Sequence, residues 1–302
     1  QINILGKATY PGNSVQSVSY SLNGGSYKAL NIGPYPAGAV RRVYNPGDFN
    51  IEIFTETEGV YTRTPGLIDG DNSVTIKAVG GDLSETTEVV NFKYIKGITC
   101  PLPFTVRFDT VTNIQNVAQI TDGYWEITPD GIRTKTNEWG YDRVVGVGDI
   151  NWENYEATVR FKIFGAYTNF AAPSIGNALL LMARWTGHTD QPQSTGGQDP
   201  KAGYWPYGLL ADFVDSSNPN KIELYAFGDQ RVAFQETNDY TIDYGDMYVF
   251  KVSIQSQPTA GPILKMKYWK EGSAEPNWLL TGTHPTGNKN PAKGSFLMIS
   301  HH

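Results

Sequence analysis

The chain has 302 residues, of which 39% are hydrophobic and 18% charged, and its net charge at pH 7 is −6. This is the composition of a folded globular protein, and the acidic balance makes nucleic acid and anionic membrane surfaces poor partners. No apolar run reaches the ~18 residues that span a bilayer, so we expect no membrane insertion. The single cysteine, Cys100, excludes an internal disulfide bond.

Residues 1–97 predict a small all-β domain. Val15–Leu22, 49–54 and 73–79 alternate apolar and polar residues with period two, and Asn and Gly residues separate them. Short alternating strands with regular turns over about 100 residues are typical of an immunoglobulin-like sandwich. The stretches VSYSLNGG, PGDFNIEI and DGDNSVTIKAV also resemble the immunoglobulin-like modules of bacterial and archaeal surface proteins.

Residues 98–103 predict a short, stiff linker because they include Pro101 and Pro103. The composition changes after this linker, which indicates a second domain over residues 104–302. All seven tryptophans follow it, at positions 125, 139, 152, 185, 205, 269 and 278. We interpret Cys100 as a small apolar residue where the two domains meet rather than as a redox group.

Residues 104–302 alternate predicted strands and turns and show no convincing helical period. About 200 residues of this kind predict a large two-sheet jelly roll, so the whole chain is expected to be all-β. A second resemblance is to a laminin-G-like domain of the concanavalin A-like lectin/glucanase type. It rests on DGYWEITPDGIRT, YDRVVGVGDINWENYEATVRF, LLLMARWTGHTD, YVFKVSIQ and LKMKYWKEGSAEPNWLLT. The resemblance implies one further strand after residues 295–299, so we expect either a domain that is truncated at its last strand or a last strand that is supplied differently.

The segment 179–208 is the candidate binding site. It predicts a buried strand with Leu179, Leu181 and Ala183 on one face, then a long polar loop and a second strand. Aromatic rings beside Arg, His and acidic residues offer a sugar an apolar face and hydrogen bonds. The alternative is that the tryptophans only fill one end of the sandwich. The candidate ligand-binding residues are Arg184, Trp185, His188, Asp190, Lys201, Tyr204, Trp205 and Tyr207.

The motifs of catalysis on this fold are missing from the sequence. Retaining glucanases need two carboxylates about 5 Å apart, which this fold supplies as E-x-D-x-x-E on one strand, and that spacing does not occur. The R-x-E-L-R and Q-I-H strands of alginate lyases are also absent. The residue types that lyase chemistry requires nevertheless occur in one stretch, at Arg184, His188, Lys201, Tyr204 and Tyr207, so polysaccharide degradation remains an alternative.

The laminin-G-like resemblance implies a structural calcium ion, bound by carboxylates and backbone carbonyls. No regular ligand spacing selects a site, and most of the candidate aspartates are expected to be turn residues. These candidates are Asp109, Asp122, Asp130, Asp142 and Asp149.

We therefore predict an extracellular or cell-surface protein that binds carbohydrate or mediates adhesion without catalysis. Its expected partners are a polysaccharide or glycoprotein glycan, together with proteins of the cell surface. Two other classes remain open: a polysaccharide-degrading enzyme on the same jelly roll, and a structural surface or filament subunit.

Overall fold

The computed structural model describes residues 1–11, 15–33, 46–55, 62–135, 142–165, 177–187, 208–215, 220–227, 231–238, 240–284 and 291–301. Almost all regular structure in these ranges is strand, arranged in antiparallel sheets, which confirms the predicted all-β sandwich class. Within the same ranges the helices are two three-residue 3-10 turns, Phe108–Thr110 and Ile114–Asn116. None of the described helices has the length and apolar character to cross a membrane.

Nineteen strands occur in the described ranges, and nine of them precede residue 135. These nine are β1 Ile2–Lys7, β2 Val15–Leu22, β3 Lys28–Leu30, β4 Asp48–Ile53, β5 Gly70–Gly80, β6 Glu85–Tyr94, β7 Gln119–Asp122, β8 Trp125–Thr128 and β9 Gly131–Thr134. The others are β10 Asp142–Val147, β11 Tyr155–Lys162, β12 Asn177–Trp185, β13 Gly208–Asp215, β14 Lys221–Phe227, β15 Arg231–Asn238, β16 Met247–Gln255, β17 Ile263–Lys270, β18 Leu280–Thr283 and β19 Ser295–His301.

The described residues form two compact units. The first contains Gln1–Thr99, 106–135 and Gly187, and the second contains Cys100–Thr105, 142–186 and 208–301. Residues 106–135, which the sequence assigns to the second domain, thus group with the first unit in this structure. The division into domains 1–97 and 104–302 with a linker at 98–103 stays a prediction.

Strand alternation builds the core of the first unit. Four strands form a sheet in the order β3-β2-β5-β6, and β1 pairs with β4. Alternate residues point to the same side of a strand, so the apolar ones meet in one cluster. That cluster includes Val18, Tyr20, Leu22, Phe49, Ile51, Ile53, Val74 and Ile76.

Polar contacts attach β7 and the following residues to the β1–β4 pair within the first unit. The backbone N–H of Asn3 donates to Gln119 Oε1 over 2.6 Å. The hydroxyl of Tyr124 donates to Asp48 Oδ1 over 2.8 Å, and Asp48 is 6% exposed. A buried carboxylate depends on such a partner, which explains why this segment groups with the preceding residues.

The second unit consists of two facing sheets. One has the strand order β15-β14-β13-β12-β19-β10, and the other has the order β11-β16-β17-β18. β19 pairs with β12 on one edge and β10 on the other, so the last described strand occupies a central place in its sheet. Side chains from both sheets form one core, which includes Leu181, Ala183, Leu209, Phe213, Leu224, Phe250, Val252, Met266 and Phe296.

The strand prediction for the candidate segment is confirmed. Leu181 and Ala183 are fully buried in the core of the second unit, and Leu179 packs against that core from the same face of β12. β12 pairs antiparallel with β13, with Ala183 opposite Leu209. The predicted loop, residues 188–207, lies outside the described residues.

Two fragments distinguish the contact-based boundary from the sequence-based one. A fragment of residues 1–97 leaves Asp48 and Asn3 without Tyr124 and Gln119, whereas a fragment of residues 1–135 keeps both contacts. We expect the longer fragment to unfold at a higher urea concentration. Its free energy of unfolding should be larger by about 1–3 kcal/mol, because the buried polar contacts are restored. Equal stability of the two fragments would instead support the boundary at 98–103.

Candidate functional site

Arg184, the first candidate binding residue, is buried at the end of β12 with 1% exposure. Its guanidinium donates to the backbone carbonyls of Glu153 at 2.9 Å and Pro291 at 3.3 Å. It also donates to the side-chain oxygens of Ser256 at 2.7 Å and Asn154 at 3.3 Å. Burial lowers the pKa of this guanidinium, yet an arginine remains charged at neutral pH. Arg184 therefore joins the segments that precede β11, follow β16 and precede β19.

A β-bulge places Arg184 in this position. The pairing of β12 with β19 shifts just before Trp185, and Arg184 adopts a positive φ of 55°, which is uncommon for a residue with a side chain. The Tyr155 hydroxyl accepts the backbone N–H of Arg184 at 2.7 Å and donates to the Ser295 carbonyl at 3.0 Å. A Cβ at Gly294 would lie 2.3 Å from the Arg184 carbonyl carbon, so only glycine fits beside the bulge.

The structure locates only two of the eight predicted binding residues. Trp185 is 3% exposed and its ring lies near Gly146, so neither Trp185 nor Arg184 offers a surface to a ligand from solvent. Both serve the packing of the second unit, in line with the alternative that the sequence left open for Trp185. The other six lie outside the described residues: His188, Asp190, Lys201, Tyr204, Trp205 and Tyr207. Their role in binding stays a prediction.

Four of the five aspartates suggested for calcium have protein partners or lie at the surface. Asp149 accepts the backbone N–H groups of Cys100 and Asn151, and Asp122 accepts that of Gly123. Asp109 pairs with Arg107 at 2.9 Å, Asp130 is exposed in a turn, and the side chain of Asp142 lies outside the described part of the chain. Among the described residues no group of three or more His, Cys, Asp or Glu could hold a metal ion. The calcium ion stays a prediction.

Two buried carboxylates that the sequence did not identify lie on neighbouring strands of the larger sheet. Asp212 of β13 lies directly opposite Glu223 of β14, and their exposures are 2% and 1%. Both point away from the core, because the alternate residues of these strands face it. Glu223 Oε1 accepts the Lys221 ammonium at 2.5 Å and the Tyr225 hydroxyl at 2.7 Å. Within the described residues Glu223 Oε2 has no hydrogen-bond partner.

A second feature that the sequence search missed lies on the outer face of the smaller sheet, and we call it the Lys–Trp surface. It consists of Lys251, Lys265, Lys267, Trp269, Glu275 and Trp278. Lys267 Nζ lies 4.4 Å from the Trp278 ring centroid and 6.0 Å from that of Trp269. Lys265 lies 5.9 Å from Trp278, and Lys251 lies 5.7 Å from Trp269. These are cation–π distances, and both rings are partly exposed.

The charges of the Lys–Trp surface are unevenly balanced. Lys251 and Lys267 are directly opposite on β16 and β17, and Glu275 bridges them at 2.6 and 2.8 Å. The hydrogen bonds from Lys251 and then Lys267 lower the pKa of Glu275, so this carboxylate stays ionised between them at neutral pH. Lys265 has no carboxylate partner within the described ranges, and the nearest acid in register, Glu156, lies two strands away. One cation beside an indole ring thus remains uncompensated.

The sequence of β17 contains a signal for the Lys–Trp surface. ILKMKYWK alternates lysines with apolar residues, which places Lys265, Lys267 and Trp269 on one face of a strand. Their convergence with Lys251 and Trp278 depends on strand pairing. The acid pair gave a weaker signal, because Asp212 and Glu223 lie on different strands.

Replacing Arg184 tests its structural role. Arg184→Ala removes the donor of the buried Pro291 carbonyl and of the part-buried Glu153 carbonyl, so we expect a loss of about 3 kcal/mol in the free energy of unfolding, measured by urea denaturation. Arg63→Ala is the matched control, because Arg63 is a partly exposed arginine that donates to backbone carbonyls in the first unit. A stable Arg184→Ala variant that loses glycan binding would return Arg184 to the binding site.

Comparison with known proteins does not assign the chain to a family. No protein-family model matches the chain, and no curated protein matches it significantly. The all-β sheets are compatible with an immunoglobulin-like module followed by a jelly roll, and the assignment to those particular families stays a prediction from the sequence motifs.

Proposed function

We propose that this chain is an extracellular or cell-surface carbohydrate-binding protein, and that its second unit binds acidic polysaccharide on the Lys–Trp surface. The supporting observation is that two partly exposed tryptophans, Trp269 on β17 and Trp278 in the segment before β18, lie beside three lysines of the smaller sheet. Only two of these lysines have a carboxylate partner among the described residues. Catalysis is not part of this function.

The two tryptophans supply the apolar part of the site. The C–H face of a pyranose packs on an indole ring in the same way as other apolar groups, and it removes water from both surfaces. Trp269 and Trp278 both lie within 6.0 Å of Lys267 Nζ, so they are neighbours on one sheet face. Two adjacent platforms suit a chain of sugars better than a single residue.

The lysines supply the charge selectivity. The whole chain is acidic, with a net charge of −6, so a polyanion has no general attraction to it. A uronate carboxylate or a sulfate beside Trp278 would instead pair locally with Lys265, which lacks a carboxylate partner in the described residues. Ion pairs at a surface are weak individually, and the stacking therefore has to contribute most of the affinity.

Substitutions on the Lys–Trp surface test this function with polygalacturonate and its methyl ester, which share the sugar ring and differ in charge. We expect the wild type to bind polygalacturonate more tightly, and increasing ionic strength to weaken that binding. Trp278→Ala should weaken it by roughly 1–3 kcal/mol, the usual range for an aromatic anchor. Lys265→Gln should remove the preference for the charged form. Isothermal titration calorimetry measures all three effects.

Two further variants sharpen the result. Lys162→Gln is the matched control, because Lys162 also lies beside an aromatic ring, 5.7 Å from the Phe164 centroid, but outside the Lys–Trp surface. Trp205→Ala tests the loop predicted from the sequence. Loss of binding in Trp205→Ala with no change in Trp278→Ala would move the site to that loop. The proposed function would be contradicted if the protein bound neither of the two polymers and also bound no other acidic or neutral glycan.

The acid pair favours a second candidate function, glycoside hydrolysis. Residues directly opposite on antiparallel strands have Cβ atoms about 5 Å apart, and retaining glycosidases place their carboxyl groups at a similar separation. One would act as the nucleophile and the other as the acid and then the base. The low exposure of Asp212 and Glu223 argues against this candidate, because a substrate has to reach both.

Conservative substitutions decide whether the acid pair is catalytic. If it is, Asp212→Asn and Glu223→Gln should each lower the release of reducing ends from polysaccharide by about 10²–10⁴-fold while the protein stays folded. Asp246→Asn, which alters an exposed carboxylate paired with Lys270, should leave the rate unchanged. Unchanged rates in all variants, or no release by the wild type, would assign Asp212 and Glu223 to structure alone.

A further inference from the structure

The most exposed strand of the first unit is β6, Glu85–Tyr94. It forms one edge of the β3-β2-β5-β6 sheet and pairs with β5 through ten consecutive residues without a register shift. Seven of its ten residues are exposed and none is fully buried. Val89, at its centre, is 55% exposed.

Such an edge presents unpaired backbone N–H and C=O groups to solvent. Natural sheets protect their edges with short strands, charged side chains, proline residues or bulges. The opposite edge of the same sheet follows this rule, because β3 has only three residues, Lys28–Leu30. β6 is long and regular, and its sequence ETTEVVNFKY contains no proline. The two edges of one sheet thus differ in their capacity to pair with another strand.

The charges on β6 fit a second copy of itself. Glu85, Val89 and Lys93 lie on the outer face, because Val90 and Phe92 pack towards the core. A two-fold axis at Val89 places Glu85 of each copy opposite Lys93 of the other, and both sheets keep their outer faces on the same side. Among the described residues Lys93 makes no ion pair within 4 Å, although Asp71 lies directly opposite it on β5, and Glu85 pairs with Lys77 at 3.2 Å.

We infer that two copies of this chain associate by antiparallel pairing of β6 with β6, in the register centred on Val89. Other registers can also place the outer faces of both strands on the same side and keep most of the strand paired. These registers lose the Glu85–Lys93 pairs. One unfavourable contact remains, because Glu88 lies diagonally across from Glu88 of the second copy. Two paired strands of ten residues form a small interface, so we expect the association to be weak and reversible. For a polymeric ligand, two linked binding sites raise the overall affinity.

Sedimentation velocity of the full chain over about a hundredfold range of concentration tests the pairing. We expect a reversible monomer–dimer equilibrium. Lys93→Glu should raise the dissociation constant at least about tenfold, and adding Glu85→Lys to that variant should restore it, because the opposite charges are exchanged. Glu88→Gln should tighten the dimer. Backbone amides of residues 87–93 should exchange more slowly in concentrated samples.

Lys28→Glu is the matched control, because it makes the same change of charge on the exposed β3 edge of the same sheet. It should leave the dissociation constant unchanged. A wild type that stays monomeric at the highest concentration would overturn the inference. So would equal effects of Lys28→Glu and Lys93→Glu, or failure of the charge exchange to restore the dimer. These outcomes are independent of glycan binding, which a monomer retains.

Discussion

The apolar layer between the two sheets of the second unit is the constraint on which its other features depend. Once Leu181, Phe250 and Met266 are committed to this layer, strand alternation directs their neighbours to the outside. The outer faces then differ in character. The outer face of the smaller sheet carries lysines and partly exposed tryptophans. The corresponding face of the larger sheet carries two acids, Asp212 and Glu223, which are buried. Both candidate sites are therefore consequences of the same core packing.

Arg184 shows how this packing is secured at one end. A charged group in an interior is unfavourable unless each donor finds an acceptor, and Arg184 finds its acceptors in backbone carbonyls and neutral side chains of three segments. A bulge with positive φ and a neighbouring Gly294 are needed to point it inwards. Arg184 thus connects three segments of the second unit by hydrogen bonds, although its residue type suggested ligand binding.

The two units differ in the polar groups that they leave available for binding. In the second unit, Glu275 satisfies two lysines and leaves Lys265 as a local cation in an acidic chain. In the first unit, β6 leaves backbone groups and opposite charges along an open edge. In the function that we propose, the second unit binds a polymer and the first unit binds a second copy of the chain. Each contact can then be weak, because two linked binding sites raise the overall affinity.

The sequence by itself determined the all-β class, the strands β12 and β13, and the shared face of Leu179, Leu181 and Ala183, because period-two alternation is a local property. It did not determine that Arg184 and Trp185 are buried, since a bulge and its partners come from distant segments. The tertiary structure also decided that Asp212 meets Glu223, and that Lys251 and Trp278 converge on Lys267. The register of strand pairing sets these contacts, and the alternation of residues along one strand does not specify which residues of the next strand lie opposite.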